Sequence, residues 1–259
     1  MSALLEVHGL SLRFGGLLVL QQLDFSVQAG TIASLIGPNG AGKTSVFNCL
    51  TGFYRPSGGR ITLDGRDLRG LRPHRITRAG LARTFQNLRL FREMSVIENV
   101  MAGRHCRSRA GVLAAIARTP AQRREERAVV AAAHRWLDFV GLRGHAERSA
   151  GNLSYGDQRR VEWARALATD PRLLLLDEPA AGLNHDERAA LVALIRRVRD
   201  ELGITVLLIE HDMGLVMQVS EAITVLDYGR KIAEGDAAAV QSDPAVIEAY
   251  LGRDEDDAR

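Results

Sequence analysis

Cysteine is scarce in this chain of 259 residues: Cys49 and Cys106 stand far apart and outside any metal-knuckle spacing. That excludes a disulfide-stapled scaffold and a thiolate-bound zinc, and the pair reads as free thiols. Long apolar runs are missing as well. Stretches such as Leu173–Leu176 and Ile204–Ile209 fall far short of the roughly 20 residues that cross a bilayer, so any membrane role is expected to come through another chain. The opening stretch MSALLEVHGL has neither the charged start nor the apolar core of a secretory leader, and the chain is expected to stay in the cytoplasm. Charge of one sign does not dominate. Lys and Arg number 34 against 31 Asp and Glu, a net +3, which is a mild basic bias that suits acidic partners without naming one. There is no internal repeat and no long low-complexity tract. What is left is the composition of an ordinary globular protein, 46% hydrophobic and 25% charged, long enough to bury a core unaided.

The first 35 residues alternate apolar and polar positions with breaks at Gly15-Gly16 and Ala29-Gly30, which predicts short antiparallel strands. Three compact apolar runs follow: Ile32–Ile36, Leu173–Leu176 and Ile204–Ile209. Each predicts a strand buried on both faces, as at the parallel centre of an α/β sheet. Each also stops in polar residues: Gly37-Pro38-Asn39-Gly40, Asp177-Glu178-Pro179 and Glu210-His211-Asp212. Ligands of open α/β sheets bind beyond the carboxyl ends of the strands, so three such ends point to one composite site. Val129, Ala133, Trp136, Leu137 and Val140 share one helical face, and Leu191, Leu194, Ile195, Val198 and Leu202 repeat the pattern over residues 187–202. Between about Gln86 and Gly151 no buried strand is signalled, which predicts an inserted helical subdomain. Ile223–Leu226 and Lys231–Ala233 flank Asp227-Tyr228-Gly229 and predict a hairpin. Asp254–Arg259 reads as an acidic tail.

Gly37-Pro38-Asn39-Gly40-Ala41-Gly42-Lys43-Thr44 satisfies G-x-x-x-x-G-K-[ST] in full, with a buried strand before it and a helical run, Ser45–Thr51, after it. Glycines let backbone N–H groups curl around phosphate oxygens without a Cβ in the way. Lys43 supplies a point charge for β- and γ-phosphates, the Thr44 hydroxyl is a ligand for Mg²⁺, and the helix beginning at Ser45 turns its positive end to the anion. At the second strand end, Asp177 is placed to hold Mg²⁺ through water, and Glu178, one residue further out, to polarise an attacking water. Two adjacent carboxylates repel unless a cation is present, a reason to expect a metal there. The bland alternative is a strand stop followed by a helix cap. His211, at the third strand end, is a candidate γ-phosphate contact, against the alternative of a structural histidine. Gln86 in Arg83-Thr84-Phe85-Gln86-Asn87 is a candidate for the Mg²⁺ or the attacking water, or is simply solvated.

The phosphate loop, Gln86, Leu153-Ser154-Tyr155-Gly156-Asp157-Gln158, Leu173–Glu178 and His211 occur in an order that resembles the ATPase subunits of ABC transporters, from about Leu4 to Gly252. Leu153-Ser154-Tyr155-Gly156 is similar to the family signature L-S-G-G-Q, which generic P-loop kinases and GTPases lack; no N-K-x-D guanine-reading segment is present. The resemblance implies an α/β fold: a P-loop ATPase core with a mostly parallel sheet, an N-terminal antiparallel β subdomain and an inserted α-helical subdomain at about residues 87–160. All of this would form one ABC ATP-binding domain over 1–252, with 253–259 as the tail. It implies two chains sandwiching two ATP molecules. In that arrangement Gly37 to Ser45 hold the nucleotide, and Ser154 and Gly156 touch the partner's γ-phosphate. Glu178 acts as general base, His211 senses the γ-phosphate, and Gly182-Leu183-Asn184-His185 links the dimer. Phe14 stands where the family stacks an aromatic on adenine, with Val19 nearby; the other reading makes Phe14 a core residue of the first sheet.

Phe14-Gly15-Gly16, Tyr155, Ala180–Asn184, Ile209–Met213 and Glu248–Gly252 are similar to ATP-binding subunits of branched-chain amino acid importers, with amide and urea importers as close neighbours. That branch implies two membrane permeases, a second ATPase and a periplasmic binding protein, with this chain peripheral on the cytoplasmic face of the inner membrane. Asp157 departs from the common signature Gln and either contacts ATP or caps a helix beginning near Gln158. Tyr155 stands for a glycine, Asn184 for the usual Asp, and Phe14 for the common Tyr. Residues 104–127 carry seven arginines against two acids, read first as a solvated helical face, second as a lipid-headgroup contact and third as a nucleic-acid contact. Two rivals are a soluble ABC ATPase acting on nucleic acid or ribosomes, disfavoured by the single phosphate loop and the lack of heptads, and a small-molecule kinase, disfavoured by Glu178 and the signature.

Overall fold

The computed structural model describes residues 3–107 and 120–251; the acidic tail and much of the arginine-rich segment lie outside them. The chain divides into two compact units, Met1–Arg83 with Arg172–Arg259, and Thr84–Pro171.

The first unit holds two sheets. β1 (Ala3–Phe14), β2 (Leu17–Gln28), β4 (Gly58–Leu63) and β5 (Arg66–Asp67) form an antiparallel sheet in the order β2-β1-β4-β5. The strands β1 and β2 are 12 residues each, longer than the short strands the alternation suggests, because Gly15-Gly16 is a tight hairpin and the two strands stay paired from Phe14–Leu17 to Ala3–Gln28 through four register shifts. The second sheet runs β10-β9-β3-β8-β7-β6, from β10 (Arg230–Gly235), β9 (Ala222–Asp227), β3 (Ile32–Ile36), β8 (Thr205–Ile209), β7 (Leu173–Asp177) and β6 (Leu81–Arg83). It is parallel throughout except for the β9–β10 hairpin at one edge. Every residue of β3, β7 and β8 is buried, as predominantly apolar runs require when helices or a second sheet cover both faces. Side chains alternate between two cores. Ala33 and Leu35 face a cluster shared with the antiparallel sheet and with Val46, Phe47 and Leu50 of α1 (Lys43–Leu50). Ile36 faces Val216, Val240 and Val246, on α7 (Met213–Val219), α8 (Ala237–Ser242) and α9 (Pro244–Leu251).

α2 (Pro73–Ala79) adds Ile76 to the first of these cores, and α6 (His185–Asp200) buries Leu191, Ile195 and Val198. The latter starts at a capping box, in which Asn184 accepts the Glu187 N–H and Glu187 accepts the Asn184 N–H. The expected hairpin forms with Tyr228 at φ 43° and Gly229 at φ 75°, the two left-handed residues that a type I′ turn demands.

The second unit is helical: α3 (Val96–Arg104), α4 (Pro120–Phe139) and α5 (Tyr155–Leu167). Ala133, Leu137 and Val140 of the predicted face are buried, and Val129 and Trp136 half-buried. Of the arginine-rich segment, Arg104 and Arg107 do not lie on a free face: they donate to the carbonyls of Ala168, Thr169 and Asp170 at the end of α5, and Arg104 also pairs with the Asp170 carboxylate. Arg123, Arg124 and Arg127 are exposed.

Candidate functional site

β3, β8 and β7 are parallel neighbours, with Leu35 opposite Ile209 and Ile209 opposite Asp177. Their carboxyl ends therefore bring the phosphate loop, Glu210–His211 and Asp177–Glu178 together on one edge of the sheet.

The loop Gly37–Gly42 is shaped by backbone freedom and close approach. Gly37 sits at φ 148°, and a Cβ there would lie 2.1 Å from the Leu226 carbonyl; Gly42, at φ 101°, would meet Leu20 at 2.9 Å. No residue with a side chain fits either position without displacing backbone or core. Lys43 is buried and folds back to donate to the carbonyls of Gly37 (2.6 Å) and Pro38 (2.9 Å). Ala41 donates to the Pro38 carbonyl at 3.2 Å. Asn39, Gly40 and Thr44 face solvent, and Ser45 is half-buried. The β9–β10 hairpin supports the loop from behind: the Gly229 N–H donates to the Ala41 carbonyl at 3.0 Å and Gln21 donates to the Gly229 carbonyl at 2.9 Å.

Asp177 ends β7 with 3% of its surface exposed. Its Oδ2 accepts from Arg83 Nη2 at 2.6 Å, while Arg83 Nη1 donates to Asn48 Oδ1 at 2.8 Å and to Thr51 Oγ1 at 3.3 Å, and the guanidinium lies over the Phe47 ring. The repulsion expected between Asp177 and Glu178 in the absence of a metal is thus relieved by a cation of the chain itself. Arg83 escaped sequence reading because β6 is only three residues long and gives no periodicity.

Glu178 adopts φ 46°, a left-handed conformation rare for a side-chain-bearing residue and held by its surroundings. Its N–H donates to the Ile209 carbonyl at 2.9 Å. His211 is exposed, with Nδ1 3.9 Å from a carboxylate oxygen of Glu178 and 3.9 Å from one of Glu210. Glu210 is wholly buried; the sequence displays it, as an acid directly after an apolar run, but nothing local distinguishes it from His211 and Asp212.

Phe14 is 48% exposed and meets Tyr54 edge to face at 5.1 Å, so it is not a core residue of the first sheet. Val19 is half-buried against the core.

In the helical unit, Ser154 is the N-cap of α5, its Oγ accepting the Asp157 N–H at 3.2 Å. This corrects the reading of Asp157 as a cap: the helix starts at Tyr155, and Asp157 sits in its first turn, where a negative charge favours the helix dipole, 3.7 Å from Arg160. Gly156 is half-buried and Gln86 exposed. Arg159, buried, donates to the Phe85 carbonyl (3.0 Å), the Gln86 carbonyl (2.8 Å) and Tyr155 Oη (2.8 Å). The tyrosine that replaces a signature glycine thus joins a network holding the Gln86 backbone. Buried Glu162 balances Arg159 and Arg165 at 4.0 and 3.7 Å; its burial raises the carboxyl, against which the two guanidiniums act.

Residues 20–181 match the family model described as ABC transporter, and residues 230–256 match that described as branched-chain amino acid ATP-binding cassette transporter. The high-affinity branched-chain amino acid transport ATP-binding protein BraF of Pseudomonas aeruginosa is 52% identical over 249 residues, 96% of this chain and 98% of that one. The corresponding LivG of Escherichia coli K12 is 50% identical over the same coverage. A crystal structure of an ATP-binding cassette of an ABC transporter in its ADP conformation superposes with a TM-score of 0.84 at 32% identity, covering 97% of this chain and 100% of that one. No helix of the described residues is long and apolar enough to cross a membrane. With its phosphate loop closing β3, its acid pair closing β7 and its signature serine capping α5, this chain belongs to the ABC transporter family and is one of its ATP-hydrolysing cassettes.

Proposed function

We propose that this chain energises the import of branched-chain amino acids, working as one half of an ATP-driven dimer on the cytoplasmic face of the inner membrane. The observation that carries the cargo assignment is the match of residues 230–256 to the branched-chain model, because those residues lie outside the 20–181 stretch matched by the general cassette model. The partners follow from that assignment: two membrane permeases, a second cassette (identical or a sister chain) and, indirectly, a periplasmic binding protein, with no nucleic acid.

In this reading Gly37, Pro38, Asn39, Gly40, Ala41, Gly42, Lys43, Thr44 and Ser45 hold the triphosphate, and Phe14 stacks on the adenine. Lys43 already sits inside the loop on two carbonyls, from which a phosphate oxygen is an easy exchange of acceptors. The hydroxyl of Thr44 and the Asp177 oxygen not engaged by Arg83 are hard donors that suit Mg²⁺. That ion keeps waters and substrate phosphates rather than a full protein cage, in line with the lack of any three-ligand cluster among the described residues. What Mg²⁺ supplies when bound is neutralisation of charge on the β- and γ-phosphate oxygens. Glu178 takes the proton of the attacking water, His211 donates to the γ-phosphate, and Gln86 orients the water or the metal's shell. Ser154 and Gly156 complete the site of the partner chain, offering the N-terminus of α5 to the γ-phosphate.

Three measurements test this. Lys43→Ala is expected to lose nucleotide and Glu178→Gln to bind and trap it without turnover; parental hydrolysis by Glu178→Gln refutes the assignment of the base. A mild-detergent pull-down from native membranes is expected to recover polytopic permeases and a sister cassette, and uptake of labelled leucine, isoleucine and valine is expected to depend on the chain. Recovery of ribosomes or DNA-repair factors without a permease, or dependence of urea or amide uptake alone, overturns the cargo assignment.

A further inference from the structure

Glu210 takes no part in the hydrolysis outlined above, yet it occupies the most protected place in the site. Burying a carboxylate is unfavourable unless hydrogen bonds replace water, and here they do. Oε1 accepts the Ala180 N–H at 2.8 Å; Oε2 accepts the His211 N–H at 3.1 Å and the Asp212 N–H at 3.4 Å. Burial pushes this carboxyl up, and the three N–H groups and the nearby His211 pull it back. All three partners are donors, so an acceptor-only carboxylate satisfies every one of them, whereas an amide would turn N–H against N–H.

The donors come from two different loops. Ala180 lies two residues beyond Glu178, in the turn after β7; His211 and Asp212 open the turn after β8. Glu178 is the strained member, at φ 46°, and its conformation is pinned on both sides. Its own N–H is fixed by the Ile209 carbonyl, Ala181 closes back on the Glu178 carbonyl at 3.2 Å, and Ala180 is anchored on Glu210. Successive residues at the end of β8 thus hold the two flanks of Glu178, and one of them also holds the backbone of His211.

We propose that Glu210 is a positioning residue for ATP hydrolysis: its buried carboxylate ties the left-handed turn of Glu178 and the start of the His211 loop into one rigid register. The inference rests on the assignment of Glu178 as base, and its test keeps the two separable.

The test compares steady-state kinetics of the full-length chain carrying Glu210→Gln, Glu210→Asp, Glu178→Gln and the double change Glu178→Gln/Glu210→Gln, with ATP affinity and urea unfolding measured alongside. Glu210→Gln is expected to lower kcat about 10- to 100-fold while KM and nucleotide affinity stay within about twofold, since the phosphate loop stands on a different strand. Glu210→Asp, charged but too short to span both loops, is expected to lose kcat to a lesser degree, and it carries the same kcat-only prediction should the Gln chain fail to fold. Because Glu210 acts through Glu178 and the His211 loop, adding Glu210→Gln to Glu178→Gln is expected to lower the residual single-turnover hydrolysis by less than Glu210→Gln lowers the parental rate. The inference is overturned by a parental kcat in Glu210→Gln, by a loss carried in KM, or by a full multiplicative loss in the double variant. Parental turnover in Glu178→Gln would overturn the base assignment itself, whatever Glu210 does.

Discussion

Replacing Arg83 by Met removes the cation that pairs with Asp177 among the described residues. Both side chains are nearly dry, 6% and 5% exposed, and 2.6 Å apart. Met fills a similar volume and keeps the contact with Phe47, but it leaves Asp177 without a counter-charge and Asn48 Oδ1 and Thr51 Oγ1 without their donor. Removing one partner of a buried pair costs about 3–5 kcal/mol because the other charge stays behind in a place that water reaches poorly. For a chain of this size that corresponds to a fall of roughly 6–20 °C in Tm. Urea unfolding in EDTA, at unchanged m-value, reads the free-energy loss directly. Two companion results are expected. Adding Asp177→Asn to Arg83→Met should recover most of the loss, since a neutral amide no longer needs the guanidinium. Saturating Mg²⁺ and ATP should stabilise Arg83→Met more than the parent, because the metal brings back a positive charge at the same carboxylate. A loss below about 1 kcal/mol in Arg83→Met, with no recovery in the double variant, would refute the reasoning and show that Asp177 is effectively solvated.

Gly229→Ala is expected to weaken both stability and ATP affinity, because a Cβ there would stand 2.0 Å from the Val19 carbonyl and would push the hairpin off Ala41; unaltered nucleotide binding in an equilibrium assay would disconnect the hairpin from the loop. In the helical unit, Tyr155→Phe removes one acceptor of Arg159 and should cost only about 0.5–1.5 kcal/mol, whereas Arg159→Met strips buried Glu162 of a counter-charge and should cost about 3–5 kcal/mol, both read by urea unfolding. Burial pushes the Cys49 thiol up to about 12, so alkylation of the native chain at about pH 8 should leave Cys49 unmodified until denaturant exposes it; modification at the rate of a free thiol would contradict that burial.

What the sequence determined by itself is whatever chemistry is contiguous. Glycine spacing, Lys43 and Thr44 define the phosphate loop within eight residues. The predominantly apolar runs before Gly37, Asp177 and Glu210 announce buried parallel strands, because only such strands tolerate Leu or Ile on both faces. The signature, followed by helical spacing, announces the second unit. The tertiary structure decided the rest, because the contacts concerned join residues distant in the chain through groups that carry no local pattern. Arg83 reaches Asp177 across 94 positions, from a strand too short to show periodicity. Ala180 and Glu210 meet across 30 positions through a backbone N–H, which every residue but proline possesses and no sequence advertises. The hairpin tip supports the phosphate loop from behind through the Gly229 N–H and the Ala41 carbonyl, again backbone to backbone. Even the start of α5 was settled this way: Ser154 and Asp157 are both good caps by residue type, and only the backbone geometry shows Ser154 outside the helix and Asp157 within its first turn.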